Sequence, residues 1–383
     1  MLTASRCYSF ALLLLLMALL LTACHQRPTV APGYHEYAYV TNGKSNSVSV
    51  IDALQLKNVK TIPVGASPTG ITANPQRNEI YVANAESNNL SIIDAERNEV
   101  VATIGVQSMP YFVSVSADGK RAYVANSGSA NVSVIDIARR AVIATIGVGG
   151  APGLAKVSPD GKLVVVSNRA GNSLSLIDAD KLAVRSTVSV CQQPQDIVIL
   201  PDSSKAFVAC PGSNQLASVD LKTDRLLTFL DVGKLPIQLA LKPDGGELFV
   251  SNFEGNSFSS VETGTNEVGG TYLIGNNPVR GIVTSDNALL YVSNFGSDNV
   301  SVYAIDEGRV IGVVQVGSHP DALALTPDEA HLLVVNSRSG DVAVVRTVKT
   351  RDNSKISADR ALVTLIPVGN QPNDIVIKAF QTK

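Results

Sequence analysis

The sequence predicts an all-β protein, an eight-bladed β-propeller with four antiparallel strands in each blade. Two observations predict this fold. A phrase of the type Tyr-Val-Thr-Asn recurs at a constant interval of 42 residues, and each interval contains four short apolar runs separated by turn residues. Helical periodicity is absent from these runs. A period of this length with four strands per unit is typical of a propeller blade, whereas leucine-rich and helical repeats have other periods or need helices.

The phrase marks the second strand of each unit. It begins at residues 39, 81, 123, 165, 207, 249, 291 and 333, and valine always occupies its second place. The third place is mostly small, as at Ala83 and Ser167, which suits a strand that lies close to a neighbouring sheet. The other three strands of one unit are represented by GITAN, NLSIID and EVVATIGV.

The two chain ends are complementary. No inner strand precedes Tyr39, yet the stretch QPNDIVIKAF from Gln371 follows the eighth unit and matches an inner strand. We therefore predict a 3+1 closure, in which the C-terminal strand completes the first blade and leaves no inner sheet edge free. A single domain over 37–383 is expected, because each unit of a repeat protein packs only on its neighbours.

The repeated phrases resemble those of a known family. Copies such as YVTNGKSNSVSVID from Tyr39 and YVANAESNNLSIID from Tyr81 resemble the YVTN-type bacterial β-propeller family, and the resemblance covers the chain from Tyr37 to its end. It implies a propeller fold. Members of that family are often seven-bladed, so a seven-bladed ring is the alternative to the eight blades that the repeats predict.

The first residues predict export. Arg6 precedes a run of twelve apolar residues from Phe10 to Leu21, which has the length of the central region of a secretory signal and is too short to span a bilayer. The run ends in LTAC, which resembles the lipobox of bacterial lipoproteins and places the acylated cysteine at Cys24. The alternative is an ordinary secretory peptide cut after Ala23.

The resemblance to a lipobox also implies the bounds of the signal peptide and of the tether, and the cellular location of the protein. It implies a lipoprotein signal peptide over 1–23, a tether over 24–36, and acyl chains on Cys24 that hold the chain on a membrane surface. His25 follows the cysteine where an aspartate would favour the inner membrane. By resemblance to enterobacterial lipoproteins, the protein is expected to be exported and lipid-anchored to the cell envelope, at the outer membrane, facing the periplasm or the cell surface.

The net charge and the cysteines limit which partners and metals are expected. The formal net charge is −2, and no basic track with interleaved aromatic residues is present, so nucleic acid is not expected as a partner. Outside the signal and lipobox only Cys191 and Cys210 remain, without the C-x-x-C spacing of a zinc site, and no metal is predicted. The expected partners are an unknown small ligand or an envelope protein, and the chain is expected to be a monomer.

The two remaining cysteines lie in one blade. Cys210 replaces the asparagine that ends the second strand, and Cys191 replaces the glycine seen at Gly65. Both positions fall at the same rim of an antiparallel pair, and oxidising conditions outside the cytoplasm permit a disulfide. A free reactive dithiol is the functional alternative, although neither segment offers a helix start or cationic pair to lower a thiol pKa.

Variation around the ring indicates where a ligand site lies. The loop into each inner strand carries a proline, and the second residue after it varies, as Gly70, Phe112, Leu154, Asp196, Gln238, Arg280, Ala322 and Asp374. Polar side chains therefore gather in blades five, six, seven and one, opposite a more apolar arc. The candidate ligand-binding residues on this rim are Asp196, Gln238, Phe253, Arg280, Phe295, His319, Asp321 and Asp374. The competing interpretation is that these residues are solvated and vary because nothing constrains them.

The sequence leaves three candidate functions, each from a different class of protein. The favoured one is a noncatalytic binding or scaffold lipoprotein, without cofactor, that uses this rim. The second is a hydrolase, because YVTN propellers resemble lactonases that use histidine, arginine and glutamate; Arg280 and His319 match two of these, and Asp321 or Asp374 would have to replace the glutamate. The third is tetrapyrrole binding, because eight blades also resemble the d1-haem propellers, with His319 as axial ligand. No catalytic residue is predicted.

Overall fold

The computed structural model describes residues 31–347 and 361–382, and these residues contain 32 strands and one short 3₁₀ turn. The strands form eight four-stranded antiparallel sheets, so the prediction of eight blades is confirmed and the seven-bladed alternative is wrong. The predicted signal peptide and Cys24 lie outside the described residues.

The strands follow one another in chain order. Blades one and two contribute β1 (Tyr34–Asn42), β2 (Ser47–Asp52), β3 (Lys57–Pro63), β4 (Pro68–Ala73), β5 (Glu79–Asn84), β6 (Asn89–Asp94) and β7 (Glu99–Gly105). Blades three and four contribute β8 (Pro110–Val115), β9 (Arg121–Asn126), β10 (Asn131–Asp136), β11 (Ala141–Gly147), β12 (Pro152–Val157), β13 (Leu163–Asn168), β14 (Ser173–Asp178) and β15 (Ala183–Ser189). Blades five and six contribute β16 (Ile197–Ile199), β17 (Lys205–Cys210), the 3₁₀ turn Pro211–Ser213, β18 (Gln215–Asp220), β19 (Arg225–Asp231), β20 (Pro236–Leu241), β21 (Glu247–Asn252), β22 (Ser257–Glu262) and β23 (Glu267–Leu273). Blades seven and eight contribute β24 (Pro278–Val283), β25 (Leu289–Asn294), β26 (Asn299–Ala304), β27 (Arg309–Gln315), β28 (Pro320–Leu325), β29 (His331–Asn336), β30 (Asp341–Arg346) and β31 (Leu362–Pro367). The last strand is β32 (Pro372–Gln381).

The chain forms two compact units. The larger, Glu36–Ala379, contains the propeller, and the smaller combines residues 1–35 with Phe380–Lys383. In the described part of the smaller unit, the Thr382 N–H donates to the Gly33 carbonyl at 2.8 Å. The first strand begins at Tyr34; the tether and domain boundaries that the sequence predicts stay predictions.

The first blade combines strands from both ends of the sequence. Its order is β3-β2-β1-β32, which confirms the predicted 3+1 closure by the C-terminal strand. Ile375 of β32 is buried in one apolar cluster with Val40 of β1 and with Ala322 and Leu333 of blade eight. The last strand therefore joins the first and eighth blades by packing as well as by strand pairing.

Apolar cores lie between neighbouring blades. One cluster joins Tyr123 and Val134 of blade three to Val164 and Ile177 of blade four, all of them fully or almost fully buried. In the second strand of blade three, Ala125 belongs to this cluster and Val124 to the cluster shared with blade two. The stability of the fold is therefore expected to be a sum of contributions from contacts between adjacent blades, as in other repeat proteins.

A buried asparagine ends the second strand of seven blades. Its side-chain amide donates across to the third strand: Asn168 Nδ2, for example, donates to Ser173 Oγ at 3.1 Å and to Ser175 Oγ at 3.0 Å. In six of these blades a glycine of the incoming loop lies against it, and a Cβ added to Gly149 would approach the Asn168 Cγ to 2.6 Å; in blade three Gln107 holds the glycine position. In blade five Cys191 and Cys210 hold these two positions and form a disulfide, with Cα atoms 5.7 Å apart.

Candidate functional site

The inner strands enclose a central cavity of about 480 Å³, lined by residues from all eight blades. Five of the predicted candidates line it: Asp196, Gln238, Arg280, Asp321 and Asp374. The other three, Phe253, Phe295 and His319, are not part of this lining. Six of the eight variable residues of the proline loops line the cavity, all except Gly70 and Ala322. The candidate residues therefore divide into a charged cavity lining and a separate aromatic row.

Arg280 is the central feature of the cavity. Its backbone N–H donates to Ser293 Oγ at 3.2 Å, which holds the start of β24 against β25. The guanidinium Nε is buried without a hydrogen-bond partner among the described residues, while Nη2 lies 4.0 Å from Oδ1 of Asp374. Because 39% of the side chain is exposed and Arg280 lines the cavity, the guanidinium can reach a ligand there.

Charge around Arg280 keeps the guanidinium protonated. Burial alone opposes its charge, but the carboxylates of Asp374, Asp321 and Asp196 together raise its pKa above the ordinary value for arginine. A permanently charged group with most of its donors unused is suited to recognise a carboxylate or a phosphate, since it offers five N–H groups in a fixed plane.

Three of the polar candidates also connect neighbouring inner strands. Asp196 Oδ2 accepts from the Leu239 N–H at 3.0 Å, and Gln238 Oε1 accepts from the Gly281 N–H at 2.7 Å. Asp374 Oδ2 accepts from the Ile71 N–H at 3.4 Å. Each bond runs from one blade to the inner strand of the next. These residues are therefore constrained by the fold, and the interpretation that they vary freely does not apply to them.

Asp321 differs from the other two carboxylates. It makes no hydrogen bond to the described protein, although Arg280 lies close enough to lower its pKa. Burial outweighs that effect, and together with the charge of Asp374 it raises the Asp321 pKa above the ordinary carboxyl value. Burial likewise raises the pKa of Asp374 against the opposing effect of Arg280 and of two backbone N–H donors. The cavity therefore holds two carboxyl groups that gain protons more readily than a solvated aspartate.

The arc opposite these residues is not apolar, contrary to the sequence-based expectation. Lys156 and Arg169 of blade four line the cavity together with Tyr111 and Phe112 of blade three. The Arg169 guanidinium lies over the Tyr111 ring at 4.7 Å, and Lys156 Nζ lies 5.8 Å from the centre of the Phe112 ring. Both contacts are cation–π interactions across a blade interface.

The positions of Arg169 and Lys156 could have been identified from the sequence. Arg169 occupies the position after the repeated asparagine, which is the position of Phe253 and Phe295 in other blades. Lys156 is the fourth residue after its proline, two places beyond the compared residue, and the same face of a strand recurs every two residues. Comparison of both positions around the ring would have found them.

The aromatic candidates form a row along blades six to eight. The ring centroids of Phe253 and Phe295 are 6.3 Å apart, and Phe295 stacks on His319 with centroids 4.2 Å apart. The His319 backbone is held with φ of 56°, and its N–H donates to Asp298 Oδ1 at 2.8 Å. The three rings pack mainly on one another, so His319 presents no imidazole to the cavity.

The fold and its lining define the class of protein: an eight-bladed β-propeller with a charged central cavity. The YNCE-like beta-propeller family matches residues 35–156 and 155–356. The chain therefore belongs to this family. No curated protein matches it in sequence.

Solved structures resemble the fold at low sequence identity. Dihydro-heme d1 dehydrogenase NirN, in a complex with DHE, superposes with a TM-score of 0.73 at 15% identity, over 93% of this chain and 78% of NirN. Kuenenia stuttgartiensis hydrazine synthase superposes with a TM-score of 0.59 at 22% identity, over 73% of this chain and 98% of the synthase chain. A functionally unknown protein of Desulfotomaculum acetoxidans DSM 771 superposes with a TM-score of 0.60 at 14% identity, over 89% of this chain and 98% of that protein. These likenesses show the propeller fold.

The described residues contain neither a cluster of metal ligands nor a membrane-spanning helix. Within 31–347 and 361–382, no three histidine, cysteine, aspartate or glutamate side chains come together as ligands for a metal ion. Over the same ranges no helix has the length and apolar character needed to cross a bilayer.

Proposed function

We propose that the protein is a noncatalytic binding propeller that holds a small anionic ligand in its central cavity. The observation that carries this proposal is the Arg280 guanidinium, whose buried Nε has no hydrogen-bond partner among the described residues. An unsatisfied buried donor costs on the order of 1–3 kcal/mol, and a ligand oxygen would remove that cost. The rings of Tyr111 and Phe112 form part of the cavity wall, and they favour a ligand that has an organic part beside its anionic group.

The lining supports binding more than hydrolysis. Among the described residues that line the cavity there is neither a histidine nor a glutamate, so the lactonase-like set of groups is not assembled there. An ionised Asp321 could act as a base, and its raised pKa would make it a stronger base than a solvated aspartate. The second proton carrier of the hydrolase alternative, His319, is not part of the cavity lining.

The residues also do not fit a tetrapyrrole bound through histidine. NirN was solved with a d1-type haem compound, but the likeness to this chain is one of fold. His319, the axial candidate, stacks on Phe295 at 4.2 Å and does not line the cavity. No step is assigned to such a cofactor here.

We further propose that the propeller is exported and attached to the cell envelope through a lipid on Cys24, facing the periplasm or the cell surface. The lipobox-like LTAC sequence supports this. In cells supplied with an alkyne-labelled palmitate, the chain should acquire label and should remain with membranes after carbonate washing. Cys24→Ser should remove both properties. A wild-type chain that is exported without label would show an ordinary secretory signal instead.

The binding proposal is tested by thermal unfolding of the purified protein in benzoate, inorganic phosphate or glutarate. At least one of these anions should raise the Tm in a saturable way, because a ligand that binds only the folded state stabilises it. Arg280→Met should abolish that shift. Arg139→Gln, which changes an exposed arginine beside Asp136, should leave it unchanged. The proposal fails if no anion shifts the Tm, or if the shift is equal in Arg280→Met.

A further inference from the structure

We infer that the ligand of this cavity is a small dicarboxylate, with one carboxylate bound by Arg280 and the other by Lys156. This inference rests on the proposed function and adds a second anchor to it. The observation behind it is the count of donors and acceptors that the cavity lining leaves unused, together with the position of the two cations relative to Asp374.

Lys156 is the second cation whose donors are unused. It projects from β12 into the cavity, and its one described side-chain contact is with the face of the Phe112 ring, at 5.8 Å. An aromatic face accepts the positive charge but leaves the three N–H groups of the ammonium without oxygen acceptors. Lys156 and Arg280 thus present a surplus of donors from blades four and seven.

Most of the acceptors in the cavity are already engaged. Both oxygens of Asp196 accept backbone N–H groups, from Ile197 at 2.9 Å and Leu239 at 3.0 Å. Both oxygens of Asp374 do the same, from Ile375 at 3.0 Å and Ile71 at 3.4 Å. Asp321 is the remaining carboxyl. The lining therefore offers more free donors than free acceptors, and a ligand with two acidic groups matches this balance.

The two cations line one cavity. Nη2 of Arg280 is 4.0 Å from Oδ1 of Asp374, and Lys156 is among the charges that lower the pKa of that carboxyl. Because both side chains line the same cavity of about 480 Å³, a molecule of a few carbon atoms can lie between them. The adjacent Tyr111 and Phe112 rings supply an apolar wall for its body.

The carboxyl groups in the cavity allow a dianion to enter. Arg280, Lys156 and Arg169 balance Asp196, Asp321 and Asp374 when all are ionised. Asp321 faces Arg280 and Asp374, and Asp374 faces Arg280, Lys156 and two backbone N–H groups. Because burial already raises the pKa of both carboxyls, an added dianion should drive proton uptake on one of them. Binding should then tighten as the pH falls from 8 towards 6.

The test is isothermal titration of the purified protein with unbranched dicarboxylates from malonate to adipate, followed by a matched set of probes. Glutarate, pentanoate and 4-aminobutyrate have the same chain length and differ only at one end. Glutarate should bind about tenfold tighter than pentanoate, which corresponds to one additional charged contact. Lys156→Met should reduce glutarate binding to the level of pentanoate and leave pentanoate binding unchanged.

Controls separate this inference from the proposed function. Lys234→Met changes an exposed lysine of the same rim and should not alter binding. Lys156→Arg keeps the positive charge and should retain most of the preference for glutarate, which would show that the site tolerates substitution. If pentanoate binds as tightly as glutarate and depends on Arg280, the anion-binding function stands and the second anchor is wrong. Tighter binding of 4-aminobutyrate, or no binding by any dicarboxylate, also overturns the inference.

Discussion

Cys191 and Cys210 form their disulfide at the place where six other blades pack an asparagine against a glycine. In blade six, for instance, a Cβ on Gly233 would approach the Asn252 Cγ to 2.5 Å. The serine that accepts from the asparagine in most blades is also missing in blade five, where Ala217 takes its place. The covalent bond therefore replaces a complete packing and hydrogen-bonding unit.

This replacement predicts an order of stabilities. Loss of the disulfide, by reduction or by Cys210→Ser, should lower the free energy of unfolding by about 3 kcal/mol, because a closed loop of some 20 residues restricts the unfolded chain. The triple variant Cys191→Gly, Cys210→Asn, Ala217→Ser should recover part of this loss by rebuilding the unit of the other blades. Guanidinium denaturation under oxidising and reducing conditions measures the order.

Cys210→Asn alone should be the least stable of these variants. The Cβ of Cys191 would then occupy the position at which six other blades have glycine, where an added Cβ would approach the asparagine side chain too closely. Blade three, which has Gln107 at this position, is the exception. If Cys210→Asn is as stable as the triple variant, the two positions are not coupled and the explanation for their joint replacement is wrong.

The buried asparagine should be important in an ordinary blade. Asn168→Ala removes two donors to Ser173 and Ser175 and leaves a gap beside Gly149, so it should reduce the free energy of unfolding by about 2 kcal/mol. Chemical denaturation measures the change. Asn370→Ala, at an exposed position, should stay within about 0.5 kcal/mol of the wild type; equal effects of the two variants would contradict a structural role for the buried amide.

Asp321 should make stability depend on pH. Its folded-state pKa lies above the ordinary value of 3.8, so the folded chain binds more protons than the unfolded chain between these two values. The free energy of unfolding contributed by this group therefore falls as the pH rises through that window. Asp321→Asn should remove the fall and be more stable than the wild type at pH 7, with the difference vanishing below pH 4.

Thermal unfolding across pH 3 to 8 tests this sign. Asp306→Asn, at an exposed turn position, serves as the control and should run parallel to the wild type at every pH. A neutral-pH loss of stability in Asp321→Asn would mean that the attraction between Asp321 and Arg280 outweighs the cost of burial.

Closure of the ring should depend on the packing of β32. Ile375→Ala empties a buried site shared by blades one and eight, and should cost about 2–4 kcal/mol. Val363→Ala, which shortens a side chain that is 39% exposed on the outer strand β31, should cost far less. Limited proteolysis should also cut the C-terminal segment sooner in Ile375→Ala. Equal stability of both variants would show that the last strand contributes little to closure.

Much of the fold could be predicted from the sequence because its determinants are local and repeat. The eight phrases at constant spacing specify the blades, and the unpaired strand after Gln371 specifies the closure. The start of the propeller was less clear, since β1 extends back to Tyr34 and residues before the first phrase have no repeat to be compared with.

The site was only partly predictable. Of the residues two places after each proline, Asp196, Gln238, Arg280 and Asp374 are candidates that line the cavity, whereas Phe253, Phe295 and His319 contact each other outside that lining. Lys156 lies two places further along β12, so a comparison of one position per blade does not identify it.

The sequence by itself determined the number of blades, their strand content and the pairing of the chain ends, since strand and turn preferences act over a few residues. Tertiary structure alone decided which polar groups are engaged and which are free. Asp196 and Asp374 accept hydrogen bonds from backbone N–H groups of other blades, whereas the buried Nε of Arg280 has no hydrogen-bond partner among the described residues. That distinction depends on distances between residues far apart in the chain, which only closure of the ring establishes.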